Sequence, residues 1–163
     1  MVTGHRYLGG YIGDKEAEGR WLAEKIKGWA ESVEILAGAS CKHPQSAYAG
    51  LQKSLKQEWA FVQQVTPGIG DAFSPVETVL KDTFVPALFK GLGDGVPEIG
   101  VTRLPVKQDR LDLPDPSHTA PENWTASCVI TGHLVAALRG QVEFRTADHL
   151  SCLREGWAAV WQI

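Results

Sequence analysis

Apolar residues recur at helical spacing along most of the chain, beginning after Asp14. The first stripe advances in steps of four and three residues, which places its members on one face of a helix: Leu22, Ile26, Trp29, Val33 and Leu36. A second stripe follows Pro44, which suits a first helical turn because it has no N–H to bond: Tyr48, Leu51, Leu55, Trp59, Val62 and Val65. Residues 1–13 instead intersperse apolar residues with glycine and predict a short strand pair or turn.

A third helix is predicted to begin at residues 74–77, Ser-Pro-Val-Glu. Ser74 would cap it, the proline would occupy the first turn, and Glu77 would complete a capping box. Its apolar face comprises Val76, Val79, Leu80 and Phe84. Because Pro86 lacks an N–H and crowds the preceding turn, we expect the helix to kink or stop near Phe84, before a short continuation over 87–89.

The remaining residues predict a connector and two further helices. Glycines recur through residues 91–100, which predicts a loop, and prolines recur through residues 101–116, which should therefore be extended. Helices should cover 121–139 and 146–161. Their predicted inward residues are Trp124, Cys128, Thr131, Leu134, Val135 and Leu138 in the first, and Leu150, Leu153, Trp157 and Val160 in the second.

These patterns predict a mainly α fold, with about five amphipathic helices in a bundle, a short N-terminal β element and an extended Pro-rich connector. The length of 163 residues and the hydrophobic content of 44% suffice for a buried core. We divide the chain into a turn plus helices over 1–90, a loop and connector over 91–120, and a C-terminal helical pair over 121–163.

Charge and cysteine content narrow the class of protein. Sixteen basic and nineteen acidic residues give a net charge of −3, so any nucleic-acid binding must be local. Three widely spaced cysteines are an odd number, which favours a reducing compartment. No signal-peptide core follows Met1 and no apolar run reaches about 18 residues, so we expect a soluble, intracellular chain without a membrane partner.

Sequence motifs of catalysis are absent. There is no phosphate-binding loop, no His-Glu-X-X-His and no Gly-X-Ser-X-Gly. Cys128, His133, His149 and Cys152 supply the atoms of a tetrahedral zinc site, but the first two are five residues apart and would lie on different faces of a helix. We therefore predict no metal site and no cofactor. The six tryptophans could stack on bases, although their positions on apolar stripes favour a core role.

A local excess of positive charge marks the second predicted helix. Lys42, Lys53 and Lys56 are opposed there only by Glu58. Such a face could follow a phosphate backbone, while an ordinary solvated helix surface would have the same composition. Three lysines would give a log–log salt slope no steeper than about −3, which is typical of weak, non-specific binding.

Longer motifs resemble a known family. Residues 6–13 (Arg-Tyr-Leu-Gly-Gly-Tyr-Ile-Gly), the helix from Trp21, and residues 44–55 resemble the part of non-LTR-retrotransposon-like reverse transcriptases that lies just after the palm. Residues 103–116 resemble that family's downstream Leu-Pro…Gly-Gly-Leu-Gly-Ile-Pro-Asp-Pro segment. The resemblance extends from Arg6 to about Ala159.

The resemblance implies that Tyr7, Leu8 and Gly9 form the turn that opens the primer grip, and that the helices as far as residue 89 form a thumb. The family's catalytic aspartates belong upstream of Tyr7 and are not in this chain. Phosphoryl transfer needs carboxylates that hold metal ions, so we predict that the chain is not an enzyme. Asp109, Arg110 and Asp112 stand where the family pattern has glycines, which predicts a changed backbone there.

We therefore predict a catalytically incomplete, thumb-like chain that contacts a template–primer duplex weakly. The predicted contact residues are Tyr7, Leu8, Gly9, Lys42, Lys53 and Lys56. Its partners would be a DNA or RNA duplex and an upstream palm domain or partner protein. The alternative is a helical protein-interaction scaffold with no nucleic-acid role. Lysines grouped on an exposed face would favour the first interpretation, and a wide exposed apolar patch would favour the second.

Overall fold

The computed structural model describes residues 4–90, 95, 97–104 and 111–161. Within these ranges two strands precede a series of helices, which confirms the mainly α fold with a short N-terminal β element. The strands are β1 (Gly4–Tyr7) and β2 (Gly10–Gly13). The α-helices are α1 (Lys15–Ser40), α2 (Pro44–Gly50), α3 (Lys56–Val65), α4 (Ser74–Val79), α5 (Val85–Leu88), α6 (Ile99–Thr102), α7 (Pro116–Leu138) and α8 (Thr146–Trp161).

The long helix α1 is the centre of the fold. Its N-cap is Asp14, whose Oδ1 accepts a hydrogen bond of 2.8 Å from the Ala17 amide, so an orphan donor of the first turn is satisfied. The stripe that the sequence predicts is largely buried, and it packs against β2, α2, α4 and α5. Its buried apolar members are Ala17, Trp21, Leu22, Ile26, Trp29, Val33 and Ala37.

The second predicted helix is one continuous rod that contains a π turn. Helix α2 passes through the π turn Leu51–Leu55 into α3, and the residues at both junctions keep right-handed helical dihedrals. A π turn holds one extra residue, so it rotates the rest of the stripe relative to a regular helix. Leu51, Leu55, Trp59 and Val62 are buried as predicted, whereas Val65 at the end of the rod is exposed.

The capping prediction for the third helix is wrong. No side chain caps its first turn, because a 3-10 turn (Gly70–Phe73) leads directly into α4, and Glu77 reaches across to another segment instead of completing a capping box. Of the kink or stop predicted near Phe84, the stop does not occur. A π turn (Leu80–Phe84) precedes α5, and this wider turn lets helical backbone continue through Pro86.

The C-terminal part begins earlier than predicted. Helix α7 starts at Pro116, with Asp115 as its N-cap, so Pro121 lies inside the helix and removes a single backbone hydrogen bond. The short helix α6 also occupies part of the stretch that we expected to be extended. In the described residues the connector is therefore shorter than 91–120.

The predicted inward face of α7 is mostly wrong. Its buried residues are Pro116, Ala120, Asn123 and Ala126, which contact α3 and the 3-10 turn. Trp124 and Leu134 are half-buried, but four members of the predicted stripe are exposed: Cys128, Thr131, Val135 and Leu138. In α8, whose bounds agree with the prediction, Leu150 is exposed and Leu153 is half-buried. The side chains of Trp157 and Val160 lie outside the described structure.

An aromatic cluster lies at the centre of the core. Trp29 stacks on Phe73 at 5.8 Å, and Trp59 meets both rings edge-on at 6.4 Å. Such pairs stabilise a core beyond the area that they bury. The core role is thus confirmed for Trp21, Trp29 and Trp59, all of them buried. None of the helices in the described part of the chain has the length and apolarity to cross a membrane.

A buried polar network joins α3 to α7. Gln63 is 1% exposed, and its Nε2 donates to the Pro116 carbonyl at 2.7 Å. Its Oε1 accepts from Asn123 Nδ2 at 2.6 Å and from the Thr119 hydroxyl at 3.3 Å. The side chains of Gln63, Thr119 and Asn123 are thus hydrogen-bonded within the protein, so the network fixes the start of α7 against α3.

Candidate functional site

The hairpin made by β1 and β2 presents the first group of predicted contact residues. Tyr7 pairs with Gly10, which leaves Leu8 and Gly9 as a two-residue turn with φ of 47° and 86°. Two positive φ values are the mark of a type I′ turn, which matches the twist of an antiparallel pair. Tyr7 is 61% and Leu8 80% exposed, so the turn holds both side chains in solvent.

The rod supports this hairpin at the C-terminal end of α3. A Cβ added to Gly9 would lie 3.0 Å from Phe61, and one added to Gly10 would lie 3.3 Å from Val65, so both glycines are in close contact with α3. Tyr11, on β2, stacks on Trp21 of α1 at 5.9 Å. The hairpin is therefore held by contacts to two helices.

These contacts assemble an exposed apolar surface that we call the hairpin patch. Two of its members come from α3 and were not among the predicted site residues, because their place beside the hairpin depends on tertiary packing. All five are more than two fifths exposed. The members are Tyr7, Leu8, Ile12, Phe61 and Val65.

The predicted lysines do not form one free group. Lys42 is exposed in the turn after α1, and Lys53 is exposed on the π turn of the rod. Lys56 instead forms an ion pair with Asp112, with 2.9 Å between Nζ and Oδ2. A phosphate would have to displace this carboxylate, so Lys56 is a weaker candidate than the other two.

Neighbouring polar groups on the rod also hold the connector. The Tyr48 hydroxyl donates to the Leu111 carbonyl at 2.6 Å, and Gln52 Nε2 donates to the Asp112 carbonyl at 2.7 Å. Asp112 has a φ of 48°, which is the left-handed conformation that glycine adopts most easily. Asp112 thus has a glycine-like backbone, while Asp109 and Arg110, at which a changed backbone was also expected, lie outside the described residues.

A second polar cluster joins α4 to the connector and was missed by sequence reasoning. Arg103 bonds Glu77 Oε2 at 3.2 Å and Asp115 Oδ2 at 2.7 Å, and Glu77 Oε1 accepts from the Ser117 amide at 3.0 Å. Glu77 lies 26 positions before Arg103 and Asp115 lies 12 positions after it, so no local motif links the three residues. Glu77 and Arg103 line an open cleft of about 710 Å³.

The two carboxyl groups of this cluster have opposite pKa shifts. Burial and a hydrogen bond to Glu77 raise the pKa of Asp115 above its usual range, with Arg103 opposing them. Burial would also raise the pKa of Glu77, but hydrogen bonds from Asp115 and Ser117 and the charge of Arg103 outweigh it and lower that pKa. The three side chains together tie α4 to the start of α7.

The four potential zinc ligands are also placed by the structure. Cys128 is exposed, Cys152 is half-buried, and His133 Nε2 accepts a hydrogen bond of 3.1 Å from the Arg145 amide. Phe144 lies between the two imidazoles, 5.6 Å from His133 and 6.2 Å from His149. Across the residues that the structure describes, no group of three or more His, Cys, Asp or Glu side chains could hold a metal ion.

Comparison with protein-family models, with curated proteins and with solved structures finds no significant match to this chain.

Proposed function

We propose that this chain is the non-catalytic, thumb-like helical module of a reverse-transcriptase-like protein, and that it docks on a palm-like domain through the hairpin patch. The observation that carries the proposal is the exposure of Tyr7 and Leu8 at a turn that is itself held firmly by α1 and α3. No element among the described residues covers this apolar surface, and an exposed, rigid apolar surface is typical of a protein contact.

The resemblance supplies the identity of that partner. In the family, the Tyr-Leu-Gly turn follows the palm directly, so a palm domain would be the nearest protein surface to the hairpin patch. Lys56 is paired with Asp112, and Gln52 is hydrogen-bonded to the connector. Because neither side chain is then available to bind a nucleic acid, these contacts further favour a protein contact.

Binding to a palm domain tests this function. A palm domain of a reverse-transcriptase-like protein, cut before its own Tyr-Leu-Gly turn, would be titrated with the full chain in a calorimeter. Leu8→Asp should weaken binding by at least about tenfold, because it places a charge in the apolar contact. Ile35→Asp is the matched control, since Ile35 is 73% exposed on α1 and outside the hairpin patch. Equal binding by the parent and Leu8→Asp, or no binding by the parent, would reject the proposal.

Weak duplex binding is a second candidate, favoured by the exposure of Lys42 and Lys53. With Lys56 held by Asp112, two free lysines imply a log–log salt slope of about −2. Replacing Lys42 and Lys53 together by glutamine should abolish most of the binding to a template–primer duplex, whereas Lys56→Gln should change it little. A slope near zero, or equal losses in both variants, would exclude this candidate.

A further inference from the structure

A histidine side chain closes the turn between α7 and α8. The Nε2 atom of His133, on α7, accepts a hydrogen bond of 3.1 Å from the backbone amide of Arg145, the residue that directly precedes α8. An imidazole nitrogen can accept a hydrogen bond only while it carries no proton. The observed bond therefore requires a neutral His133 whose proton is on Nδ1.

Arg145 is also the point at which α8 begins. Its carbonyl accepts a hydrogen bond of 3.1 Å from the His149 amide, which is the first helical bond of α8. Helix α7 ends in a Schellman motif at Gly140, whose φ is 69°. Between these two helix ends, the described hydrogen bonds of residues 142–145 all involve Arg145. The bond to His133 is therefore the hydrogen bond that ties this segment to α7.

A second imidazole lies in the same turn. Phe144 packs between the two rings, 5.6 Å from His133 and 6.2 Å from His149. The Nδ1 atom of His149 is buried and has no hydrogen-bond partner among the described residues. A proton on this atom would be a buried donor without an acceptor, in the first turn of α8, where the helix dipole disfavours positive charge. Protonation of either ring thus conflicts with the observed contacts.

The surrounding charges offer the two rings little compensation. The charged and titratable groups on the elements that meet at this turn are Arg139 at the end of α7, Glu143 and Arg145 in the turn, and Asp148 and Cys152 in α8. Glu143 pairs with Arg145 at 3.8 Å, and both side chains are largely exposed. Within the described part of the chain, neither imidazole forms an ion pair with a carboxylate.

We infer that His133 is a pH-sensitive closure of the turn between α7 and α8. In its neutral form it holds residues 142–145 against α7, and its protonation in mildly acidic solution releases this segment and the first turn of α8. The charge of histidine ordinarily changes between about pH 5 and pH 8. Protonation converts Nε2 from an acceptor into a donor, so two N–H groups would then point at each other. The hairpin patch takes no part in this closure, so the inference is independent of the docking proposal.

A pH titration of the full chain by nuclear magnetic resonance tests the inference. The ring nitrogens of neutral His133 should show a proton on Nδ1. From about pH 8 to about pH 5, the Arg145 amide should lose protection from water exchange by about threefold to tenfold, after correction for the intrinsic exchange rate. The midpoint of this loss should coincide with protonation of the His133 ring. A neutral His133 with its proton on Nε2, or unchanged protection of Arg145, would overturn the inference.

Substitutions of His133 separate the hydrogen bond from ring packing. His133→Gln supplies a side-chain oxygen that does not titrate, so the protection of Arg145 should no longer change with pH. His133→Phe retains a ring beside Phe144 but has no acceptor, so protection should be low at both pH values. The control His118→Gln should respond like the parent, because His118 is 73% exposed in the first turn of α7. A His133→Gln variant that still loses protection on acidification, or a His133→Phe variant as protected as the parent at pH 8, would also overturn the inference.

Discussion

At the scale of single residues, two kinds of position are unusual. Leu8 and Asp112 have left-handed backbone dihedrals, and Glu77 and Asp115 have shifted pKa values. Leu8 and Asp112 both have positive φ, the only two non-glycine residues in the described ranges that do. The left-handed conformation is unfavourable for leucine. An aspartate tolerates it better, because its short polar side chain can form local hydrogen bonds. Our docking proposal assigns the Leu8 side chain to the contact with the palm domain, and not to the stability of the turn.

Leu8→Gly should stabilise the hairpin while weakening docking. Glycine adopts the left-handed conformation without the steric penalty that leucine has. After the greater entropy of glycine in the unfolded chain is subtracted, the hairpin should gain about 1 kcal/mol of stability. Amide hydrogen exchange across the four paired positions of β1 and β2 should slow by about threefold to fivefold. Unchanged or faster exchange in the variant would show that Leu8 is not strained.

The cluster around Arg103 predicts a specific pH dependence. Glu77, with a lowered pKa, adds stability above its unfolded pKa, and this contribution is lost as pH falls. Asp115, with a raised pKa, acts in the opposite sense, since its contribution grows as pH falls through its folded pKa. In Asp115→Asn the Asp115 contribution is removed, while the asparagine amide can still donate to Glu77, so the free energy of unfolding should fall more steeply below about pH 5 than in the parent.

Denaturant titrations at a series of pH values would measure this slope. Glu77→Gln is the matched variant, because it removes the group of opposite sign. Its stability should fall less steeply with acidification than that of the parent. Parallel pH curves for the parent and both variants would contradict the opposite pKa shifts of Glu77 and Asp115.

At the scale of helices and strands, local signals in the sequence predicted where elements exist but not how they join. The Asp14 cap, the α1 stripe and the hairpin follow from side-chain periodicity and from glycine placement, and the structure confirms them. The two π turns, the passage of helix through Pro86 and the start of α7 at Pro116 depend on tertiary contacts, which no local pattern encodes.

Only part of the candidate site could likewise be predicted from the sequence. Tyr7, Leu8 and Gly9 could be singled out because the turn is a contiguous motif. Phe61 and Val65 could not, since their exposure results from where the rod ends relative to the hairpin. The pairing of Lys56 with Asp112 likewise joins positions 56 residues apart. The sequence therefore locates the three lysines, but it does not show that Lys56 is paired with an acidic residue of the connector.

The contact between α7 and α8 gives a test at this scale. Gly156→Ala should destabilise the docking of α8 by about 1–3 kcal/mol, because the new Cβ would overlap Ile130 and approach the Ala126 carbonyl to 3.1 Å. Gly28→Ala is the control, since a Cβ at that exposed site on α1 meets nothing within 4 Å and should be neutral or stabilising. Chemical denaturation of both variants measures the difference. Equal stability of the two variants would show that the helices are not packed this closely.

At the scale of the whole molecule, the fold combines a firmly packed body with one exposed apolar surface. The aromatic cluster, the Gln63 network and the Arg103 cluster bind α1, α3, α4 and the start of α7 together. The hairpin patch lies at the edge of this body and is exposed within the described residues. Because the supporting body is firmly packed, the patch needs no ordering before it binds a partner, which lowers the entropic cost of binding.

Hydrogen exchange of the full chain, with and without a palm domain of a reverse-transcriptase-like protein, tests the docking proposal most directly. The account predicts slower exchange on complex formation in peptides covering residues 4–13 and 56–65, with unchanged exchange in residues 27–36 of α1. The two protected segments are distant in the sequence and adjacent at the hairpin patch. Complex formation without protection of either segment, or protection confined to Lys42 and Lys53, would contradict the account.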